Sequence, residues 1–534
     1  MPFDVVIKYG TVVDGTGGPR FTADVAIDKG KIAAVGDLSD AEVGHSIDAT
    51  GQVISPGFID MHSHSDVTML DDPGGESKAF QGVTTEVTGN CSYTPYPAGA
   101  AGMETLRAAM GATLRSRAPW TWSTLDGWAE TTEAAGVSLN LAPLVGHGAL
   151  RVASGATKDR PLTDDNLAEM RRLAAEATEQ GAFGLSTGLT LAPSMYAETD
   201  EIVSVVEAIS PYPEAFYATH ARVWAGWQIK ALEEAAEIGR RADVAVEFSH
   251  IAIVDPQVYG QGEQIVEVIE RARAGGLDMT CDVYPYTAGA SGLYQMLPSW
   301  FQDGGVDAML VRLRDPAHRK RAFDDMAGGW FRGLPWTWDK MFITYVGSEA
   351  NQGVVGRSLD AIAEDLGVDP REVMLSLIDE ENNEVGIICH NRIESDLRFF
   401  MRYEHTMIGS DGLAISPTGP WGNDKSHPRF YGCYPRILGR YVRDDGVLSL
   451  ESAIYKMSGF PAARLGLKDR GRVADGLVAD LVIFDPETVI DHATFEHPQQ
   501  LSTGVSHLFV NGAAVISYGE HTGAKPGRVL RRGG

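Results

Sequence analysis

The sequence contains no uninterrupted apolar run of the ~20 residues that a membrane-spanning helix requires. Its N-terminal segment, MPFDVVIKYG, also lacks the basic stretch and long apolar core of a secretory signal. These two absences argue against a membrane protein and against a secreted one.

Cysteine is scarce. Four cysteines, Cys91, Cys281, Cys389 and Cys433, are too few for a disulfide framework in 534 residues. We therefore expect a cytoplasmic protein with reduced thiols. A reduced cysteine that lies beside histidines in the fold becomes a candidate metal ligand.

Basic residues are outnumbered: 45 Lys and Arg stand against 72 Asp and Glu, for a formal net charge of −27. Nucleic-acid binding requires clustered positive charge, so we expect no such partner. A hydrophobic content of 44% with 8% aromatic residues indicates a well-buried globular protein. The expected partner is a small molecule, and homo-oligomer formation is left open.

Both ends of the chain read as short strands separated by tight turns. Residues 1–56 contain β-runs such as DVVIKYG and ADVAIDKGKIAAVG, and residues 466–534 contain ADLVIFDPETV and HLFVNGAAVISYGEHTG. Turn signals such as Asn511-Gly512 separate these runs. We predict one small β-domain assembled from both termini.

Between residues 57 and 465, short apolar runs alternate with amphipathic helical stretches such as DDNLAEMRRLAAEATEQG. The candidate strands are GFIDMHSH, TTEVTGNC, LNLAPLVGHG, AFGLSTGL, EAFYATHA, VAVEFSHI, LDMTCDVYPY and HTMIGSDG. This alternation predicts an α/β fold, a (β/α)8 TIM-like barrel whose activity gathers at the C-terminal ends of its strands.

One interval, at about residues 287–342, interrupts the alternation and carries scattered aromatic residues such as Trp300 and Trp336. It is either a surface insertion with a small core of its own or a lid over the barrel mouth. The two interpretations are compatible.

The first candidate strand ends in a pair of histidines. In a β-strand, residues i and i+2 point to the same face, so His62 and His64 aim one way and Ser63 the other. Two imidazoles on one face can bind a divalent metal such as zinc. The alternative is a pair of core histidines that hydrogen-bond to the backbone.

Other candidate strands also end in metal-binding or acidic groups, namely Cys91, His220, His250 and Asp411. A barrel brings such ends to one rim although they are far apart in the sequence. This regularity favours a metal site at the rim.

Two groups at this rim have open roles. Asp411 is either a turn residue or a carboxylate that takes a proton from an activated water and returns it to a leaving nitrogen. His147 either binds a substrate carbonyl or only packs.

In combination, the motifs resemble those of one known family. They are PGFIDMHSHSD with His62 and His64, GVTT from Gly82, GNCS around Cys91, THAR with His220, SHI with His250, DVYPY from Asp282 to Tyr286, GSDG with Asp411, and HPR ending at Arg429. Nearly end to end, the chain is similar to the amidohydrolase superfamily, and within it to the D-aminoacylases (N-acyl-D-amino-acid deacylases).

The resemblance implies a zinc ion held tightly by Cys91, His220 and His250, with His62 and His64 forming a weaker second position. Superfamily members commonly bridge two metals with a carboxylated lysine on the fourth strand, which here reads AFGLSTG and has no lysine. A thiolate is a strong zinc ligand that needs no such modification. The family also gives its equivalent of Asp411 the base-and-acid role.

The resemblance further implies that Tyr284, Tyr286 and Arg429 bind the carboxylate of the substrate. The chain departs from the pattern at Ala252, where many relatives have a lysine. A desolvated carboxylate needs an opposing charge. The substrate is therefore either an acid held by Arg429 or an uncharged N-acyl amine.

These features predict zinc-dependent hydrolysis of linear N-acyl amides, above all of N-acyl-D-amino acids. One alternative is a cyclic-amide hydrolase of the hydantoinase or dihydroorotase kind, against which the missing lysine argues. The other is a barrel that has lost catalysis and serves as a scaffold.

Overall fold

The computed structural model describes residues 2–114, 116–223, 225–226, 228–331, 333–422 and 424–533. Within these ranges the strands are, in chain order, β1 (Phe3–Val12), β2 (Phe21–Asp28), β3 (Lys31–Gly36), β4 (Val43–Asp48), β5 (Val53–Pro56), β6 (Phe58–Asp60), β7 (Val83–Thr88), β8 (Asn140–Pro143), β9 (Val145–Gly146), β10 (Gly184–Gly188), β11 (Phe216–His220), β12 (Ala245–Phe248), β13 (Met279–Val283), β14 (Gly289–Gly292), β15 (Met341–Val346), β16 (Val385–Cys389), β17 (Thr406–Ile408), β18 (Leu481–Phe484), β19 (Val505–Val510), β20 (Ala513–Ser517) and β21 (Glu520–His521).

The α-helices are α1 (Thr68–Asp71), α2 (Glu76–Ala79), α3 (Met103–Leu114), α4 (Leu125–Ala135), α5 (His147–Ala153), α6 (Asp164–Glu179), α7 (Thr199–Val206), α8 (Gln228–Ala242), α9 (Gly262–Ala274), α10 (Ser299–Gln302), α11 (Val306–Arg314), α12 (Pro316–Asp325), α13 (Leu359–Leu366), α14 (Pro370–Glu380), α15 (Glu394–Arg402), α16 (Arg429–Arg436), α17 (Leu450–Met457) and α18 (Gly459–Arg464). Among the described residues, no helix combines the length and the apolar character that crossing a bilayer requires.

A closed ring of parallel strands forms the centre of the molecule. β6, β7 and β8 pair in one sheet, and a second sheet has the order β17-β13-β12-β11-β10-β9. Backbone hydrogen bonds join the two sheets, because Phe183 donates to the carbonyl of Pro143 at 2.8 Å and Met61 donates to that of Ile408 at 3.4 Å. The ring, with helices between its strands, confirms the predicted (β/α)8 barrel.

The barrel strands are buried along their whole length, as β7 illustrates, because helices cover their outer face and side chains fill the interior. At the end of β10, Gly188 lies directly against the loop that carries Cys91. A Cβ at this glycine would lie 2.4 Å from the Cys91 carbonyl oxygen. The absence of a side chain therefore lets that loop sit over the barrel mouth.

Strands from both ends of the chain form a single sheet, in the order β21-β20-β19-β18-β5-β1-β2-β3 with β4 beside β1. The two ends meet where β5 and β18 pair antiparallel, with Ile54 opposite Ile483. Ile7 from the first part and Phe509 from the last share one hydrophobic core. The fold thus contains the predicted small β-domain built from both termini.

The segment inserted after β13 continues beyond the predicted range of 287–342. β14, β16 and β15 form an antiparallel sheet in that order, and residues from Leu293 to Cys389 form a separate hydrophobic core. The predicted end near residue 342 falls inside β15. The sequence conceals the true extent because α13, α14 and β16 repeat the helix-strand alternation of the barrel.

Candidate metal centre and active site

Cys91 lies in the loop after β7, at the C-terminal end of the barrel. Its Sγ is 3.3 Å from Nε2 of His62, 3.6 Å from Nδ1 of His220 and 3.6 Å from Nε2 of His250. Around a tetrahedral zinc ion, bonds of the usual lengths place a ligand sulfur and a ligand nitrogen about 3.6 Å apart. Each of the three histidines therefore already lies at about the distance from the Cys91 sulfur that shared zinc coordination requires.

The backbone turns sharply at three of the strand ends that form the site. Cys91, His250 and Asp411 have φ angles of +52°, +37° and +51°. Residues other than glycine adopt this region at an energetic cost, and such strain clusters where function requires an exact side-chain direction. Here the strained conformation directs all three side chains into one space.

His220, at the end of β11, is oriented by Thr190. The Thr190 Oγ1 lies 2.6 Å from Nε2 of His220, which leaves Nδ1 facing Cys91. A proton on Nε2 that is donated to Thr190 leaves the Nδ1 lone pair free to bind a metal. Burial, together with the neighbouring His250, lowers the pKa of His220 well below its usual value, so the ring is neutral at pH 7. The sequence gives no sign of the role of Thr190 beyond its position just after the fourth strand.

His62 belongs to two groups of potential ligands. One group contains Cys91 and His250, and the other contains His64 and Asp411. Oδ1 of Asp411 lies 3.1 Å from Nε2 of His64 and 3.8 Å from Nε2 of His62. The family resemblance placed His62 at the second metal position alone, whereas the structure makes it common to both groups.

Asp282, near the end of β13, supports two of the histidines. Its Oδ1 accepts the backbone N–H of His250 at 3.0 Å, and its Oδ2 lies 3.5 Å from Nδ1 of His62. Burial raises the pKa of Asp282 well above its usual value. In the sequence Asp282 stands out only as the start of a motif, because an acidic residue inside a buried strand gives no sign of what it faces.

Asp411 is paired with Arg429, whose Nη1 lies 2.8 Å from Oδ2 of the carboxylate. Burial alone would raise the pKa of Asp411, but Arg429 and a hydrogen bond with His64 hold it well below its usual range. Asp411 is therefore ionised at neutral pH and able to accept a proton.

The chemistry of this donor set fits zinc. Burial raises the pKa of the Cys91 thiol well above its usual value, and coordination to a divalent cation reverses that effect by deprotonating the thiol. Burial also lowers the pKa of His62 and of His250 to about 3, which keeps both rings in the neutral form that binds metals. One thiolate with neutral imidazoles is a typical zinc ligand set.

A buried lysine links the barrel strands beneath this centre. Nζ of Lys78 lies 2.6 Å from Oδ2 of Asp60 and 3.4 Å from Oε1 of Glu86, and it also donates to the hydroxyl of Ser410. Oδ1 of Asp60 accepts the backbone N–H groups of Ser410 at 2.8 Å and of His62 at 3.3 Å. The network joins β7 to β6 and to the loop after β17, and the last two elements lead into the second group of ligands.

Tyr284 and Arg429, two of the predicted substrate-binding residues, lie in the site. The guanidinium carbon of Arg429 is 4.5 Å from the centroid of the Tyr284 ring. Tyr286 is turned toward a buried ion pair instead, with its hydroxyl 3.5 Å from Oδ2 of Asp491. Tyr284 and Tyr286 are two residues apart but do not share a face, because the strand ends at Val283.

The structure does not bring His147 to the metal centre. Its Nδ1 lies 2.7 Å from the hydroxyl of Ser194, and its Nε2 lies 3.2 Å from Oε1 of Glu201. His147 is the first residue of α5, and the helical turn directs its buried side chain toward α7. These contacts favour a packing role for His147 over a role in substrate binding.

A cavity of about 200 Å³ opens beside His220 and His250, between the barrel and the inserted unit. Its apolar lining includes Phe248, Val254, Ile265, Met296, Trp330 and Phe331. The last three come from the inserted unit, which therefore forms one wall of the cavity. Whether this wall moves as a lid stays a prediction.

Comparison with known proteins identifies the family of the chain. The amidohydrolase family model matches residues 45–222 and 406–516. The chain is 36% identical over 531 residues to the D-aminoacylase of Alcaligenes xylosoxydans xylosoxydans, covering 99% of this chain and 98% of that protein. It is 34% identical to the N-acyl-D-glutamate deacylase of the same organism, covering 99% and 96% of the two chains.

Solved structures of two deacylases also match nearly the whole chain. A crystal structure of D-aminoacylase matches with a TM-score of 0.83 at 36% identity, over 99% of this chain and 100% of the other. The N-acyl-D-glutamate deacylase of Bordetella bronchiseptica, complexed with zinc and a phosphonate mimic of the tetrahedral intermediate, matches with a TM-score of 0.84 at 31% identity over the same shares. The chain belongs to the amidohydrolase family and, within it, to the D-aminoacylases.

Proposed function

We propose that the protein is a zinc-dependent amidohydrolase that removes the acyl group from N-acyl-D-amino acids. The observation that carries this proposal is the convergence of the Cys91 sulfur with the ring nitrogens of His220 and His250, each at 3.6 Å, beside an ionised Asp411. Relatives that match along their whole length include a D-aminoacylase, an N-acyl-D-glutamate deacylase and an N-acyl-D-aspartate deacylase, which supports the substrate class.

Cys91, His220 and His250 would hold the zinc ion, and His62 would border a weaker second position formed with His64 and Asp411. Bound zinc supplies Lewis acidity, which lowers the pKa of a water molecule toward ~7 and polarises the amide carbonyl.

Asp411 moves the proton of the reaction. Its carboxylate accepts a proton from the attacking water as the hydroxyl group adds to the acyl carbon. It then donates this proton to the leaving nitrogen as the C–N bond breaks, which releases a carboxylic acid and an amino acid. Both transfers are needed because an amide anion is a poor leaving group. Arg429 keeps Asp411 ionised before each turnover.

The remaining residues position these groups. The hydrogen bond with Thr190 fixes the ring orientation of His220, while Asp282 holds the backbone of His250 and lies beside the ring of His62. The apolar wall of the cavity keeps water away from the substrate and accepts an uncharged acyl chain or side chain.

A substrate screen combined with metal analysis tests the proposal. We expect N-acetyl-D-leucine to be hydrolysed in preference to N-acetyl-L-leucine and to a hydantoin. In Cys91→Ala, zinc measured by plasma mass spectrometry and turnover should both be lost. Cys281→Ala removes another buried thiol, one that faces Thr406 rather than the histidines, and should keep both. A zinc-free Cys91→Ala variant with full activity would refute the assignment.

A cytoplasmic location is part of this proposal. All four cysteines are buried free thiols, which supports a reducing compartment.

A further inference from the structure

A second arginine lies in the active-site cavity. Arg392 follows β16 and precedes α15, so it comes from the point where the inserted unit rejoins the barrel. It lines the cavity together with His250 and Ala252. Neither the motifs nor the family pattern drew attention to this residue.

Arg392 is held against Tyr284. Its guanidinium donates hydrogen bonds to the Tyr284 hydroxyl and, at 3.1 Å, to the carbonyl of Ala288. Its guanidinium carbon lies 4.6 Å from the centroid of the Tyr284 ring, the same ring that Arg429 contacts at 4.5 Å. Gly289 leaves room for this arrangement, because a Cβ there would lie 3.3 Å from Nη2 of Arg392.

The charge of Arg392 has no carboxylate partner in the described parts of the chain, and its buried Nε has no hydrogen-bond partner there either. Two other arginines near the site are neutralised. Arg429 is paired with Asp411 at 2.8 Å, and Arg222 is paired with Glu234 at 3.0 Å. A partly buried guanidinium without a counterion is costly unless a ligand supplies the negative charge.

Arg392 also supplies a positive charge in the cavity that Ala252 lines, at the position where the chain departs from the D-aminoacylase pattern. Ala252 presents only a methyl group to the cavity and offers no charge to an acidic substrate. Arg392, from the end of the inserted unit, brings a positive charge to the lining that it shares with Ala252. A planar guanidinium binds a carboxylate through two parallel hydrogen bonds, which a lysine cannot do.

We propose that Arg392 binds the α-carboxylate of the N-acyl-D-amino acid and that the enzyme therefore requires a free carboxylate on its substrate. This inference rests on the proposed function. The apolar wall formed by residues such as Phe248, Met296 and Trp330 then takes an uncharged side chain or acyl group.

The test compares an acid with its neutral amide. Wild-type enzyme should hydrolyse N-acetyl-D-leucine far better than N-acetyl-D-leucinamide. In Arg392→Met, KM for the acid should rise roughly 10- to 100-fold, because a charge-assisted hydrogen-bonded pair is lost, while the slow rate on the amide stays unchanged. Arg314→Met, at an exposed arginine of the same inserted unit, is the matched control and should behave as wild type.

A rescue variant separates binding from support of Tyr284. In Arg392→Met/Ala252→Lys, a lysine at position 252, which also lines the cavity, should restore much of the preference for the acid. Equal losses on both substrates without rescue would overturn the proposal, because Arg392 would then only support Tyr284. A loss confined to N-acetyl-D-glutamate would also overturn it, since Arg392 would then bind a side-chain carboxylate.

A different experimental result would refute the proposed function itself. If wild-type enzyme loaded with zinc hydrolysed neither N-acetyl-D-leucine nor N-acetyl-D-glutamate, the deacylase assignment itself would be refuted, and Arg392 would lose its substrate with it. If wild type is active and Arg392→Met keeps the wild-type preference for the acid, only the role of Arg392 is refuted.

Discussion

Replacement of Lys78 by methionine should destabilise the barrel strongly. Lys78 is fully buried between Asp60 and Glu86, which are also fully buried. Removing one member of such a group leaves two carboxylates without a counterion, at a cost of about 3–5 kcal/mol. Domains of this kind have a total unfolding free energy of roughly 5–15 kcal/mol, so the loss is a large fraction of it.

The cost should depend on pH. Burial already raises the pKa of Glu86, and loss of Lys78, which opposes that effect, raises it further. A carboxyl whose pKa is higher in the folded than in the unfolded chain binds protons more tightly when folded. The destabilisation is therefore greatest above neutral pH and shrinks as the pH falls toward 5.

Urea unfolding followed by tryptophan fluorescence at pH 8 and pH 5 measures both effects. Lys320→Met, at an exposed lysine paired with Asp324, is the matched control and should change the unfolding free energy by less than about 0.5 kcal/mol. Lys78→Met/Asp60→Asn/Glu86→Gln leaves no unpaired charge and should recover part of the loss. A cost below about 1 kcal/mol for Lys78→Met, or one that does not vary with pH, would show that the three charges are not coupled as the structure implies.

Three further predictions concern the site. Asp411→Asn should lower kcat by roughly 10²- to 10⁴-fold, as loss of a general base and acid does, while zinc content by mass spectrometry stays at the wild-type value. Thr190→Val should weaken zinc binding about 10- to 100-fold in a chelator competition, because His220 loses the hydrogen bond that orients it; unchanged affinity would remove Thr190 from the site. His62 and His250 have folded pKa values of about 3 against an ordinary 6.5, so the unfolded chain binds more protons between these values. The metal-free protein should therefore lose about 1.4 kcal/mol of stability per pH unit for each histidine as the pH falls below 6.5, and a flat profile by urea unfolding from pH 7.5 to 5 would contradict this.

The barrel and its rim could be predicted from the sequence because two independent patterns coincide. Apolar runs mark the strands, and the chemistry-bearing residues Cys91, His220 and His250 follow those runs directly. Parallel barrel strands place such ends on one rim, so position along the chain translates into position in space. The β-domain was predictable for a similar reason, since turn signals separate its short strands at both ends.

Side-chain direction beyond a strand end could not be predicted. His147 and Tyr286 follow strands as the true site residues do, yet a helix start turns one away and a buried ion pair engages the other. Arg392 was missed because it reaches Tyr284 across 108 residues of sequence, from an inserted unit whose extent the sequence conceals. Thr190 lacked any distinguishing motif.

The sheet shared by both chain ends has a consequence for synthesis. β5 is complete after residue 56, but its partner β18 begins at Leu481, so more than four hundred residues must emerge from the ribosome before the two strands can meet. During that interval the edge of β5 is exposed, and exposed strand edges promote aggregation. The last-made residues thus close the first-made domain, and a nascent chain that stops short of β18 would present an open edge to its neighbours.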